Sequence, residues 1–537
     1  MAGGGKKSLS RWTCWIALAC LVVPMFASYY FDDMFSSISY LFQDPGMTEL
    51  GWDETAYGRY TSGYSVLCII GGLALLGILL DKWGVRVAGT LYVGMMVLGA
   101  GVVTYALLSG KPSSSMLSYV GCMVFGLGSE MAGTVVNRSI GRWFRGGGMA
   151  LAMGLHLAIA RLGTAFALVV SPKLVAQQEG HVYSLLETAR PALVGMGLMA
   201  VGLILWAAFV ALDSKRFPKA GGQTAKEDAF HFSDVFKVLG NKNFWLLGLL
   251  CVLFYSSIVA FKKFAGAILI PRFDVPAETA GWMVSMLPFS TVIFAPLFGL
   301  MVDKAGKGTR WMILGSILAL TAHLLLAFAP SGVPFWGYLS MVLLGFGYSL
   351  VPAALWPSVP KIVPDRILGT TFALIYWIQN LGLLTFKWLS GAILGSESGT
   401  PVTVEVMFTV LCVLALVTAV LFARNSAQHP ELGLDRPSRE RLALCQIIRT
   451  FVVLPFYSGN DVARKSEQPC GYPEILLRRT HAAMQGNPRV HGGLLFPESG
   501  TPGLQLGGGR IDRGPACCLQ YAQGPACLRC GPSGLCP

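Results

Sequence analysis

Apolar runs of about 20 residues recur from the N-terminal region to residue 424, each long enough to cross a bilayer core as a helix. About twelve are read, at roughly 12–31, 57–80, 87–108, 116–136, 148–172, 192–212, 244–271, 279–302, 311–329, 334–357, 367–395 and 403–423. Only 13% of the residues are charged, against about 25% in soluble domains, so a chain of this size lacks the polar surface to be soluble. The run at 12–31 has no small-residue cleavage site and reads as a span, not a signal peptide. The expected fold class is all-α membrane protein, with about twelve transmembrane helices. The lipid bilayer is then a partner by construction, and nucleic acid is not: the net charge of +13 is dispersed over short loops between spans.

A short stretch occurs twice in the same context. Gly77-Ile78-Leu79-Leu80-Asp81-Lys82-Trp83-Gly84-Val85-Arg86 follows the second run, and Gly299-Leu300-Met301-Val302-Asp303-Lys304-Ala305-Gly306-Lys307 follows the eighth. A motif repeated with its surroundings implies two related halves, as internal symmetry does in many transporters. The polar connector 213–243 divides the spans six and six. The domains expected are therefore a six-helix bundle at 1–212, a cytosolic linker at 213–243, a second bundle at 244–424 and a disordered tail at 425–537. In that tail Cys527-Leu528-Arg529-Cys530 has zinc-like spacing, but no second pair completes a site, so no metal or other cofactor is expected. Lys6, Lys7, Arg11, Lys82, Arg86, Arg138, Arg142, Arg145, Lys304, Lys307, Arg310, Lys361 and Arg366 fall on one side of the membrane. Arg59, Lys111, Lys173, Arg190 and Arg272 fall on the other. The excess places both termini in the cytosol.

The repeated Gly-x-x-x-Asp-basic-x-Gly stretch, in both positions, resembles the signature loop of the major facilitator superfamily. That resemblance implies two pseudo-symmetric six-helix bundles around a central cavity, working by alternating access. It also implies gating roles for Asp81 and Asp303, with Arg86, Arg142 and Arg145 as candidate partners, and Gly77, Gly84, Gly299 and Gly306 shaping the turns. An ordinary flexible turn is the simpler reading of the same residues.

Gly126-Leu127-Gly128-Ser129-Glu130, Ile159-Ala160-Arg161-Leu162-Gly163, Ala354-Leu355-Trp356-Pro357 and Ile378-Gln379-Asn380-Leu381-Gly382 are similar to one branch of that superfamily, the lysosomal dipeptide transporters (major facilitator superfamily domain-containing protein 1). The similarity spans roughly 12–424 and implies a uniporter exporting dipeptides, notably those with Lys, Arg or His, from lysosome to cytosol. It further implies a lysosomal or vacuolar membrane location and a glycosylated accessory subunit. Tyr472-Pro473-Glu474-Ile475 is similar to a lysosomal sorting signal.

Glu130 and Arg161 lie inside apolar runs, where a charge costs roughly 2.5–3.5 kcal/mol on the lenient scale and marks a cavity or a partner. A zwitterionic dipeptide needs an anion for its ammonium and a planar cation for its carboxylate. The resemblance implies these roles for Glu130 and Arg161; the alternative is that the two pair with each other. Gln379 and Asn380 are candidates for hydrogen bonds to the peptide unit, or for bonds between helices. Trp356 is a candidate cavity wall, with Pro357 bending its helix. His156 is a candidate cavity histidine, more simply a packed one. Lys262 and Lys263 are adjacent and are expected to face different sides, Lys262 lining the cavity and its neighbour reaching an interface. A cavity lysine would repel cationic side chains. Asp32 and Asp33 read as a solvated helix end.

No nucleophile with a base, metal-ligand set or nucleotide loop is present, so an enzyme is not expected. The alternatives to a dipeptide uniporter are a proton-coupled symporter of organic anions or sugars, and a non-transporting membrane receptor or scaffold.

Overall fold

A computed structural model describes residues 11–144, 149–175, 183–218, 232–363 and 367–435. Lys6, Lys7, Arg145, Arg366 and the expected tail beyond 435, with its Tyr472 and Cys527–Cys530 motifs, lie outside the described residues, as does the side chain of Asp81.

The apolar runs form long helices: α1 Arg11–Asp33, α2 Glu54–Leu80, α3 Lys82–Leu108, α4 Ser114–Trp143, α5 Met149–Leu174 and α6 Leu185–Arg216. A second series follows as α7 Lys242–Lys263, α8 Ala277–Ala305, α9 Gly308–Phe328, α10 Pro334–Leu355, α11 Leu368–Leu394 and α12 Pro401–Gln428. Among the described residues 11 helices are long and apolar enough to cross a membrane. The twelfth, α11, is 27 residues long and carries Gln379, Asn380 and Lys387 within its apolar run.

Helix starts follow local chemistry. Asp53 accepts a hydrogen bond from Ala56 N at 2.6 Å to cap α2. Ser184 and Glu187 form a capping box on α6, and Thr400 caps α12 with Pro401 in the first turn. Each cap satisfies a backbone donor that lipid cannot.

Packing repeats with a period of six helices. α1 packs on α5 and α6, as α7 packs on α11 and α12. α4 packs on α2 and α3, as α10 packs on α8 and α9, and α3 on α6 as α9 on α12. Between the series, α2 meets α11 and α5 meets α8. Adding six to one contact gives the other, which is the pseudo-twofold relation of two six-helix bundles.

The repeat is visible in the backbone. Gly84 adopts φ 73°, ψ 173° and Gly306 φ 63°, ψ −141°, close to a region only glycine enters freely. Each lets a basic turn leave one helix and enter the next. Gly306→Ala or Gly84→Ala is expected to lower stability by about 1–3 kcal/mol, read as a fall in Tm in detergent. Wild-type melting of both variants would show that the turn conformation is not required.

The bundles meet most closely at one end. A Cβ on Gly58 of α2 would lie 2.8 Å from Gly391 Cα of α11, and one on Gly391 would lie 2.4 Å from Glu54 O. No side chain fits between these two backbones. Beneath them, the chain after α1 folds into a 3₁₀ helix, Ser36–Gln43, and Phe42 stacks on Tyr57 and Trp52 with centroids 4.5 and 5.4 Å apart. At the other end a Cβ on Gly77 or Gly299 would meet open space.

Three boundaries differ from expectation. The seventh run, 244–271, breaks at Phe264 (φ −105°, ψ 13°) and resumes as the short helix Ala265–Phe273. That helix packs against the 3₁₀ segment, with Ala267 N donating to Ser39 Oγ at 3.0 Å. The boundary at 424 falls inside α12, and Asp435 beyond it accepts from Thr309 N at 3.0 Å and Thr309 Oγ1 at 2.9 Å. Within the linker, α6 continues to Arg216 and Phe232–Leu239 is helical. At Pro357 α10 passes into a 3₁₀ turn at Trp356–Ser358.

Candidate functional site

Charged side chains inside the spans gather between the bundles. Arg161 of α5 is half-buried, its guanidinium carbon 5.2 Å from the Tyr348 ring centroid and 5.7 Å from that of Tyr29. Tyr348 is also within hydrogen-bonding reach of the guanidinium, which leaves most of its five donors free. A small pocket opens beside it, lined by Arg161, Thr164, Ile258, Lys262, Pro288 and Tyr348. Those residues come from α5, α7, α8 and α10, so both bundles contribute.

Glu130 of α4 is half-buried and within hydrogen-bonding reach of Tyr64. The Tyr64 hydroxyl donates to Ser129 Oγ at 3.1 Å, and Ser129 Oγ lies 2.6 Å from Ser28 Oγ. Tyr29 is within electrostatic range of both Glu130 and Arg161. Among the described residues no ion pair joins those two. A negative and a positive group therefore stand apart across an aromatic wall, each with hydrogen-bonding capacity to spare.

Trp356 stacks on Tyr376 with centroids 5.1 Å apart, and its Nε1 donates to Tyr255 Oη at 2.9 Å. Gln379 accepts a long bond from Cys251 Sγ at 3.7 Å, linking α7 and α11. Asn380 is buried; its amide donates to Tyr376 O of its own helix at 3.1 Å, and its Oδ1 has no partner among the described residues. His156 is buried, with neither ring nitrogen partnered among the described residues. It is packed but not hydrogen-bonded within that set, whereas the simpler reading is a packed histidine with its hydrogen bonds made.

The two lysines of α7 overturn their expected separation. Lys262 Nζ lies 2.6 Å from Asp33 Oδ2, and Lys263 Nζ lies 2.8 Å from Asp33 Oδ1 and 2.7 Å from Asp32 Oδ2. Lys263 does not reach an outer interface; its side chain is 1% exposed. Adjacent positions diverge on a helix surface, but these occupy its last turn, and flexible four-carbon stems bring both ammonium groups to one carboxylate. Asp33 is likewise not a solvated helix end. It is 1% exposed and also accepts from Thr164 Oγ1 at 2.7 Å. Tyr57 of α2 donates to Lys263 O at 2.8 Å. Helices α1, α2 and α5 of one bundle are thereby tied to α7 of the other. Lys262 lines the pocket as expected, but its charge is already engaged.

At the opposite end Arg86 and Arg142 both meet a buried carboxylate. Arg86 Nε donates to Asp213 Oδ2 at 2.7 Å, Arg142 pairs with Asp213 Oδ1, and Trp143 Nε1 donates to that oxygen at 2.8 Å. Asp213 is fully buried at the end of α6. It holds the start of α3 as Asp435 holds the start of α9. Asp303 is exposed in the last turn of α8.

Three features escaped the reading of the sequence. One is Lys387 of α11, 2% exposed, with Nζ 5.2 Å from the Tyr64 ring centroid. The rule that drew attention to Glu130, a lone charge in an apolar run, applies to it equally. The second is Asp213. The third is a pair between α9 and α12, His323 Nδ1 and Glu405 Oε2 at 2.8 Å, both fully buried.

The sequence model of the Major Facilitator Superfamily matches residues 21–268 and 264–465. The chain is 31% identical over 396 residues to the lysosomal dipeptide transporter MFSD1 of Mus musculus, covering 72% of this chain and 81% of that one. It is 29% identical to the same-named protein of Danio rerio, covering 78% and 88%. Among solved structures it is similar to the nucleoside transporter NupG, with a TM-score of 0.58 at 14% identity over 76% of this chain and 99% of that one. It is also similar to a mutant of the peptide transporter POT, at 0.55 and 16% over 78% and 95%. A signature turn repeated in sequence and backbone, helix packing with a period of six and a family match across both bundles lead to one assignment: the chain belongs to the major facilitator superfamily of membrane transporters.

Proposed function

We propose that this chain is a uniporter that releases dipeptides from a lysosomal or vacuolar lumen to the cytosol by alternating access. The observation that carries the reading is Glu130 and Arg161 between the bundles, neither in an ion pair among the described residues, with Tyr29 in range of both. Glu130 receives the peptide's ammonium, and Arg161 grips its carboxylate with two parallel bonds. Gln379 and Asn380 offer amides to the peptide unit, Trp356 shapes the aromatic wall, His156 lies on the same helix as Arg161, and Lys262 borders the pocket. The names of the curated relatives support the same substrate class.

Orientation follows the loop lysines and arginines, with both termini cytosolic. The Asp33 end is then lumenal, so the arrangement described is closed to the lumen. Domain division at the 213–243 linker, gating at the Asp81 and Asp303 turns and partnership with a glycosylated accessory subunit belong to this proposal. A preference for cationic side chains is not carried over, because lysines already crowd the site.

The test is thermal stabilisation of the purified protein across a dipeptide library, with amino acids and sugars as controls. Dipeptides at a hundredfold excess over Kd should add about 2.7 kcal/mol to the folded state and raise Tm, while free amino acids do not. Stabilisation confined to sugars would sink the reading.

A further inference from the structure

We infer that Lys387 reads the side chain of the substrate's N-terminal residue and selects an acidic one. The inference rests on the dipeptide reading and names the kind of dipeptide.

The starting point is an imbalance of charge between the bundles. Asp32 and Asp33 are taken up by Lys262 and Lys263. Three carboxylates, Asp32, Asp33 and Glu130, then serve four cations, Lys262, Lys263, Arg161 and Lys387, and Asp32, bound to Lys263, is also in electrostatic range of Lys387. A zwitterionic peptide bound through its ends satisfies Glu130 and Arg161 and leaves Lys387 without an anion of its own. Among the described residues the Lys387 ammonium has weak contacts: Thr61 O at 3.5 Å, the outer limit of a hydrogen bond, and the Tyr64 ring face at 5.2 Å. No carboxylate pairs with it in that set, although the side chain is almost fully buried. An intramembrane cation so placed calls for an anion from elsewhere.

Geometry fixes which end of the substrate would supply it. Lys387 lies over the ring of Tyr64, and Glu130 is within reach of Tyr64 as well. Arg161 is held elsewhere, between Tyr29 and Tyr348. Lys387 is thus on the ammonium side of the peptide, where the first residue's side chain emerges. The flexible stem lets its ammonium leave Thr61 and meet a carboxylate. A Lys or Arg side chain in the same place would meet a second cation in a dry site.

The experiment ranks Glu-Ala, Ala-Glu, Ala-Ala and Lys-Ala by competition against a labelled dipeptide and by thermal stabilisation. In the wild type Glu-Ala should bind about tenfold better than Ala-Ala and Ala-Glu, the gain expected of one charge-assisted hydrogen bond, and Lys-Ala should be weakest. Lys387→Gln should erase the Glu-Ala advantage while Ala-Ala binding stays as in the wild type, which also reports the fold. Lys387→Arg should keep the advantage, and Lys387→Glu should turn the ranking toward Lys-Ala. If Lys387→Gln does not purify folded, the wild-type ranking decides alone. Wild-type binding of Lys-Ala as tight as Glu-Ala, or an unchanged advantage in Lys387→Gln, overturns the inference and leaves the dipeptide reading standing. Failure of every dipeptide to bind removes both.

Discussion

Glu130→Gln and Arg161→Lys should each abolish dipeptide uptake into proteoliposomes while leaving the protein folded, with Tm close to wild type. The two halves of that result have separate causes. Uptake fails because each substitution removes one partner of a charge-assisted pair made only with substrate, a loss of about 2–5 kcal/mol, or roughly 30- to several-thousand-fold in affinity. Arg161→Lys keeps the charge but loses the planar fork that grips a carboxylate in two places. Stability survives because neither group is paired with the other. Neither substitution therefore breaks an ion pair among the described residues, the usual source of large losses. Full transport by either variant would take the pair out of the mechanism. A collapse of Tm in both would recast them as structural.

Which features the sequence reveals follows from how far apart the interacting groups are in the chain. The twelve spans, the six-and-six division and the repeated turn are local patterns, and the structure reproduces them down to positive φ at Gly84 and Gly306. Glu130 and Arg161 are legible too, because an isolated charge in an apolar run is conspicuous by itself. Lys387 is equally conspicuous by the same rule. The Asp33 cluster was not legible, since Lys262 stands 229 residues away. Helical geometry alone argues that adjacent lysines diverge, and only the helix end and the flexible stems reverse that. The break at Phe264 falls between Lys262-Lys263 and Gly266, and it was hidden because apolar residues on both sides make one run of spanning length. Asp213 reads as an ordinary polar residue closing an apolar run until α3 and α4 bring Arg86 and Arg142 beside it at the end of α6.

Asp33→Asn should have the opposite profile from Glu130→Gln, with loss of stability and of function together. The carboxylate receives Lys262, Lys263 and Thr164, all but sealed from solvent. Neutralising it leaves two ammonium groups in a low-dielectric site with Asp32 as their only close carboxylate among the described residues. Breaking a buried pair in this way costs about 3–5 kcal/mol. Because the cluster joins α1 and α5 to α7, that cost falls on the arrangement closed at this end, and the opposite access state gains by about two to four orders of magnitude. The expected readings are a lower Tm in detergent, faster labelling of a cysteine introduced at Thr55 beside Gly395, and uptake near background. If the lysines are destabilising only for want of a partner, then Asp33→Asn combined with Lys262→Met should recover part of the lost stability, with a coupling of about 0.5–3 kcal/mol between the two sites. Wild-type melting and labelling of the single variant would show that Gly58, Gly391 and the aromatic packing around Phe42 close this end without help from charge.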